Sequence, residues 1–535
     1  MLIRLRFLAE LLHRGLIALL AVLFCVSLQG GARAQEPPKQ EQAKPHANPQ
    51  AMAHKDVGPS FVEALPAVNG TWETLSVMMP VNPVHIALMN TGKVLVVSGS
   101  GNDPTNNVFE AGVWDPVPQT ISTFRLEWDM FCNGMTILPD GRPFVLGGTL
   151  KYDTAPPAGG FFGYQRTALF DPATEKFTNG PDMSGGRWYP TGTLLGTGKI
   201  MVLSGLGTTG PINTTVQIGD GTSWIPAGTV FSSVDLYPRE HLLPNGKVFE
   251  DGPNPDSQMF DPVAHTWTPV ATTNFGQTRS YGSSVLLPMT PATGYKPKVM
   301  ILGGANLPNN ATNSTELIDL SVPSPKWVNG PAMIKGRVEM NATLLPNGKV
   351  LVSGGSVTNE DVPSAVLPAE IYDPSTNAFT SASTMQFARL YHSNTLLLPD
   401  ATVMAVGSNP VRGRATFEPH IEVYTPAYLF DSTGKPAKRP VIASLPSPTI
   451  KYGVTFDINT PDSASIKSVV LVRPGSVTHS FDMDQRLIGL AFTVTPGALH
   501  ATVPANHDLA PPGYYLLFIL NTQGVPSVAK FVRLG

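Results

Sequence analysis

The chain has 535 residues, enough for one large fold and a smaller module. Hydrophobic residues make up 42% and charged ones 14%, with 50 glycines and 52 prolines, which favours many short strands joined by tight turns. A net charge of −3 without a long basic run excludes a phosphate-backbone binder, so no nucleic-acid partner is expected.

At the N-terminus Arg4, Arg6 and Arg14 precede an apolar run over residues 16–28, and Ala32-Arg33-Ala34 completes a cleavage pattern. The run is shorter than the roughly 20 apolar residues that span a bilayer. Residues 1–34 are therefore expected to be an export signal, leaving no transmembrane segment after cleavage and a secreted, periplasmic or cell-envelope protein. Residues 35–60 are rich in Pro, Gln, Lys and Ala and cannot offset the entropy of ordering, so a flexible leader is expected. Of the two cysteines, Cys25 falls inside the signal and Cys132 is left alone. A lone thiol in an oxidising compartment is inert in a core, paired with another chain, or put to chemical use.

The body of the chain repeats one phrase, Leu-Leu-Pro-Asn/Asp-Gly-Lys followed by β-branched residues and a Gly-Gly or Ser-Gly pair. Copies begin at Ala87, Ile137, Leu194, Leu242, Leu286, Leu344 and Leu397, about 44 to 58 residues apart, near the kelch period. The Asn/Asp-Gly step supplies the positive φ of a tight hairpin. A second phrase, as in Trp114-Asp115-Pro116 and Phe260-Asp261-Pro262, is suited to ending an outer strand in a turn. Four strands per repeat and seven repeats predict an all-β fold, a seven-bladed kelch-type β-propeller over residues 61–434. Beyond Lys435 the repeat stops and alternating strands predict an immunoglobulin-like β-sandwich over residues 435–535.

The hairpin glycine marks equivalent places in each blade. Nine residues before Gly141, Gly198, Gly246, Gly348 and Ala401 stand Cys132, Tyr189, Tyr237, Glu339 and His392. The fifth turn is longer, and alignment on its Leu-Leu-Pro brings Tyr281 to the same place. If this position opens the innermost strand, rotational repetition turns all six side chains toward the axis. Zinc prefers more Cys or His than this set offers, nitrogen and oxygen donors suit Cu(II) better, and a cysteine hydrolase lacks a visible oxyanion site.

Four segments bear a resemblance to the galactose oxidase and glyoxal oxidase family of copper-radical oxidases. They are Phe131-Cys132-Asn133-Gly134, Gly186-Arg187-Trp188-Tyr189, Arg389-Leu390-Tyr391-His392-Ser393, and Val477-Thr478-His479-Ser480 with Asp484-Gln485-Arg486. The resemblance implies one copper ion held by Tyr189, Tyr391, His392 and His479, with Tyr189 bonded to Cys132 as a thioether tyrosyl radical. It also implies that the His479 loop closes the site from the sandwich side. The substrates it implies are a small aldehyde or primary alcohol and O2, and the expected product is hydrogen peroxide. A monomer is expected.

Some features depart from galactose oxidase. No tryptophan follows in residues 205–210, whereas Trp188 beside Tyr189 and the segment from Leu236 to Pro244 look more like glyoxal oxidase. No sugar-binding domain is expected, the leader running directly into the first blade. Arg187, Arg279, Arg337 and Arg389 recur just before the key position and are read as substrate holders or as pins for loop carbonyls. Phe131 and Trp188 are read as packing, His85, His265, His420, His500 and His507 as structural or surface residues, and His241 is undecided. The rival to an oxidase is a non-enzymatic exported propeller used for binding or adhesion.

Overall fold

Each repeated phrase closes a hairpin because its glycine reaches a positive φ, as Gly92 does at 83° and Gly246 at 79°. The same backbone bond, glycine N–H to the carbonyl three residues earlier, closes the turns at Met89, Leu138, Leu195, Leu243 and Leu345. In the seventh copy Ala401 takes over the glycine's place and its left-handed φ of 68°. The computed structural model describes residues 66–152, 160–230, 234–410 and 416–535. The segments read as export signal and leader lie outside these residues, as do residues 61–65.

The hairpins build a seven-bladed propeller. Its innermost strands are His85–Leu88, Gly134–Ile137, Thr191–Leu194, Glu240–Leu242, Ser283–Leu286, Asn341–Leu344 and Asn394–Leu397, each buried along its length. Each leads outward through an antiparallel sheet. The Asp-Pro phrase ends the third strand, where Asp115, Asp171, Asp261 and Asp373 each accept the backbone N–H two residues on. One element lies out of chain order. The first strand, Thr71–Met78, is not part of the first blade but pairs with His420–Thr425 as the outer strand of the seventh. Start and finish of the propeller therefore share one sheet, which closes the ring without a free edge.

The C-terminal module is a sheet of seven strands in which Arg486–Thr495 pairs first with Ile466–Arg473 and then with Ala498–Thr502, so the sheet folds over an apolar interior. Its core includes Leu471, Ile488, Leu499, Leu517 and Ile519 and is continuous with Phe249, Leu286 and Met289 of the propeller. No helix among the described residues is long and apolar enough to cross a membrane.

Each recurring arginine ties together its own blade. Arg279, Arg337 and Arg389 form buried pairs with Glu316, Glu370 and Glu422 at 2.8, 2.7 and 2.8 Å, and each also donates to the carbonyl of a glycine at 303, 354 or 407. Arg187 donates instead to the carbonyls of Ser204 and Thr215. Both terminal nitrogens of each of the four are engaged by protein acceptors, which favours the carbonyl-pinning role over substrate holding. Replacing Arg337 by Met strands the Glu370 carboxylate in the interior and is expected to cost about 3–5 kcal/mol of unfolding free energy in a urea titration.

Candidate metal centre

The position nine residues before the hairpin turn has one backbone conformation in six blades. Cys132, Tyr189, Tyr237, Tyr281, Glu339 and His392 have φ of 58, 68, 46, 51, 63 and 63°. A left-handed φ costs a non-glycine residue roughly 1–2 kcal/mol, so the kink is kept for where it aims the side chain. Adjacent kinks are joined by backbone bonds: Tyr189 N–H donates to Cys132 O at 3.0 Å, Tyr237 to Tyr189 at 2.9 Å and Glu339 to Tyr281 at 2.8 Å. Cys132 and Tyr189 are thus set side by side by the ring itself.

The first blade breaks the series with Pro83, whose ring fixes a negative φ. At that blade the C-terminal module inserts a hairpin, Ser476–Thr478 and Phe481–Asp482, which pairs with the innermost strand His85–Leu88. His479 sits at its tip with its own left-handed φ of 47°. The hairpin is bonded to the innermost strands around the channel. Ser476 Oγ donates to Met135 O at 2.7 Å, Ser283 Oγ to Ser480 O at 2.6 Å and Gln485 Nε2 to Ala342 O at 2.9 Å. Asp484 accepts from Ile137 N at 2.9 Å and pairs with Arg473 at 3.1 Å.

Five side chains converge. Cys132, His392 and His479 present ligand atoms within 4.8 Å of one another. His479 Nε2 lies 2.7 Å from Tyr189 Oη, and Tyr189 Oη is hydrogen-bonded to Tyr391 Oη. Cys132 Sγ is 3.9 Å from His392 Nε2, and its thiol is hydrogen-bonded to the Tyr189 side chain. Tyr391 reaches the point from the residue beside His392, its ring stacked on that imidazole at 3.8 Å.

Both imidazoles are oriented from behind. Asn409 Nδ2 donates to Thr416 O at 2.9 Å, which fixes its amide so that Oδ1 accepts from His392 Nδ1 at 2.6 Å and from Asn82 Nδ2 at 2.9 Å. Thr478 Oγ1 donates to Val84 O at 2.9 Å and so accepts from His479 Nδ1 at 2.6 Å. In each ring the Nε2 lone pair is left for the centre. Burial is the leading cause that pushes both the Cys132 thiol and the Tyr189 phenol well above their ordinary pKa values, and the mutual repulsion of their anions adds to the Tyr189 shift. Cys132 and Tyr189 therefore stay neutral until a cation supplies the compensating charge.

The aromatic surroundings differ from the sequence reading. Trp188 is not mere packing: its indole stacks on the Tyr189 ring at 3.7 Å and 9°. Phe161 covers the far face of Trp188 at 4.0 Å, Tyr237 stacks on the other face of Tyr189 at 4.3 Å, and Phe131 meets His392 edge-on at 5.4 Å. Phe161 comes from a hairpin, Thr149–Tyr152 with Phe161–Gly163, inserted in the second blade and absent from the repeat. His85, read as structural or surface, is fully buried with its ring 6.2 Å from His479. His241 is bonded to Ser284 Oγ at 2.7 Å and lies 3.3 Å from Asp251, outside the centre.

A propeller whose channel holds two tyrosines, two histidines and a cysteine at one buried point defines the class, and comparison with known proteins agrees. Residues 113–428 match the family described as Glyoxal oxidase N-terminus, and residues 439–534 match the Galactose oxidase-like, Early set domain. The chain belongs to the glyoxal oxidase family. It is similar to a galactose oxidase of Gibberella zeae, 27% identical over 507 residues that cover 87% of this chain and 70% of that protein. It is also similar to the aldehyde oxidase GLOX of Vitis pseudoreticulata, 28% identical over 545 residues covering 88% and 98%. Among solved structures, a fungal alcohol oxidase of the AA5 family in complex with copper matches with a TM-score of 0.77 at 27% identity, covering 87% of this chain and 99% of that one.

Asn409→Ala removes the acceptor that holds His392. It is expected to weaken Cu(II) binding by about 10–100-fold, read by competition with a chromophoric chelator.

Proposed function

We propose that the chain is a copper-radical oxidase that converts a small aldehyde, as its hydrate, to the acid, or a primary alcohol to the aldehyde, while O2 becomes hydrogen peroxide. The observation that carries this reading is the meeting of Tyr189, Tyr391, His392 and His479 at one buried point with the Cys132 sulfur against Tyr189. The donor set fits copper: two imidazole nitrogens already oriented from behind and two phenol oxygens make the nitrogen and oxygen field that Cu(II) favours. When bound, copper supplies a positive charge for the phenolates and one of the two electron-accepting equivalents.

The second equivalent belongs to the protein. A bond from Cys132 Sγ to the Tyr189 ring lowers the potential at which that phenol loses an electron, and the stacked Trp188 and Tyr237 rings keep water from both its faces. Tyr391 Oη takes the substrate's hydroxyl proton as general base, and the Tyr189 phenoxyl oxygen takes hydrogen from the carbon. Two electrons and two protons have then left the substrate, the number that turns O2 into hydrogen peroxide. Trp188 standing over Tyr189 and the glyoxal oxidase match support small aldehydes as the substrate class. The N-terminal sequence supports export, with the enzyme working outside the cytoplasm.

Copper-loaded protein is expected to release peroxide faster from glyoxal or methylglyoxal than from galactose or benzyl alcohol in a coupled assay. Tyr391→Phe is expected to lower kcat by about 10²–10⁴-fold, the usual worth of a positioned general base. No peroxide from any of the four substrates would return the chain to the binding-module reading.

A further inference from the structure

The stack on Tyr189 does not stop at Trp188. Phe161 lies on the indole at 4.0 Å and 10°, and Tyr152 stands edge-on to Phe161 at 5.2 Å, its cross-strand partner in the inserted hairpin. A second ring path ends on the same residue. Phe131 packs against Tyr152 at 6.2 Å and against His392 at 5.4 Å. Tyr152 is thus the common outer terminus of two aromatic paths, one from the radical tyrosine and one from an imidazole of the centre. Trp188 is 5% exposed, whereas Tyr152 is only half-buried.

The hydroxyl of Tyr152 also has what a redox-active tyrosine requires. A phenol that loses an electron becomes a strong acid, so its proton must have somewhere to go. Tyr152 Oη lies 2.6 Å from Ser100 Oγ, and the Ser100 hydroxyl is in turn bonded to the Asp129 carboxylate. Asp129 is held in place by the backbone N–H of Ser100 at 2.8 Å and of Phe131 at 3.0 Å. Phenol, hydroxyl and buried carboxylate form a proton wire.

We propose that Tyr152 is a second redox-active tyrosine, the outer station of a one-electron path through which a small outer-sphere oxidant sets the Tyr189 radical. The inference rests on the radical assignment made above. The oxidant, a one-electron acceptor such as ferricyanide, takes an electron from Tyr152 while its phenolic proton moves to Ser100 Oγ and the Ser100 proton to Asp129. An electron from the cross-linked Tyr189 then refills Tyr152 by way of Trp188, and the two protons return. The net change is one electron from Tyr189 to the oxidant. A direct route through the substrate mouth would bypass Tyr152 altogether.

The test uses full-length copper-loaded protein reduced to its non-radical Cu(II) form and mixed with ferricyanide in a stopped-flow spectrometer, following the visible absorbance of the radical. Tyr152→Phe preserves the ring packing and removes the oxidisable hydroxyl. It is expected to slow radical formation by about tenfold or more, a barrier increase of about 1.4 kcal/mol or more, with copper content and cross-link mass unchanged. Tyr152→Trp, which restores an oxidisable ring, is expected to recover most of the rate. Radical formation in Tyr152→Phe at the wild-type rate overturns the relay. If wild-type protein with full copper forms no radical at all, the radical assignment fails and the relay falls with it.

Discussion

A left-handed kink at the head of each innermost strand is the constraint on which the rest depends. Six of seven blades adopt it with a non-glycine residue, and backbone bonds join Cys132 to Tyr189, Tyr189 to Tyr237 and Tyr281 to Glu339. The seventh place is vacated by Pro83 and is the place where the C-terminal hairpin enters. His479 so completes a ring that the propeller alone leaves open. The two modules share a core as well as a site, and the sandwich is a structural part of the centre.

The second constraint is electrostatic. Burial is the leading cause that drives the Cys132 thiol and the Tyr189 phenol toward their neutral forms. Charge is kept out of the centre elsewhere too. The arginines that precede the key positions are tied to glutamates and carbonyls and contribute rigidity, not field at the axis. Asn409 and Thr478 hold the imidazoles by their Nδ1 atoms. What remains at the point of convergence is two imidazole nitrogens and two phenol oxygens, and ionising the Tyr189 phenol there needs a cation beside it.

Much of this was legible in the sequence because the repeat supplies a ruler. Counting from the hairpin glycine lined up Cys132, Tyr189 and His392 before any contact was known, since a propeller turns equal sequence offsets into equal radial positions. Tyr391 and His479 lie off that ruler, one residue beyond the counted position and in another module, and only the resemblance pointed to them. The repeat gives no sign of the last blade's outer strand, because Thr71–Met78 precedes the first blade in sequence while pairing with the seventh. Trp188 was read as packing because a residue next to a ligand in a strand usually faces away from it. The kink at Tyr189 cancels that alternation and brings the two rings face to face. The hairpin carrying Tyr152 and Phe161 is an insertion in one blade and so has no counterpart in the repeat.

The ring sets Cys132 against Tyr189, and in the proposed function the two become one cofactor. Peptide mass spectrometry on protein incubated aerobically with copper tests this most directly. The peptides bearing Cys132 and Tyr189 are expected to run as one species lighter by two hydrogens than their sum. Two separate peptides, with Cys132 open to alkylation after unfolding, would contradict it.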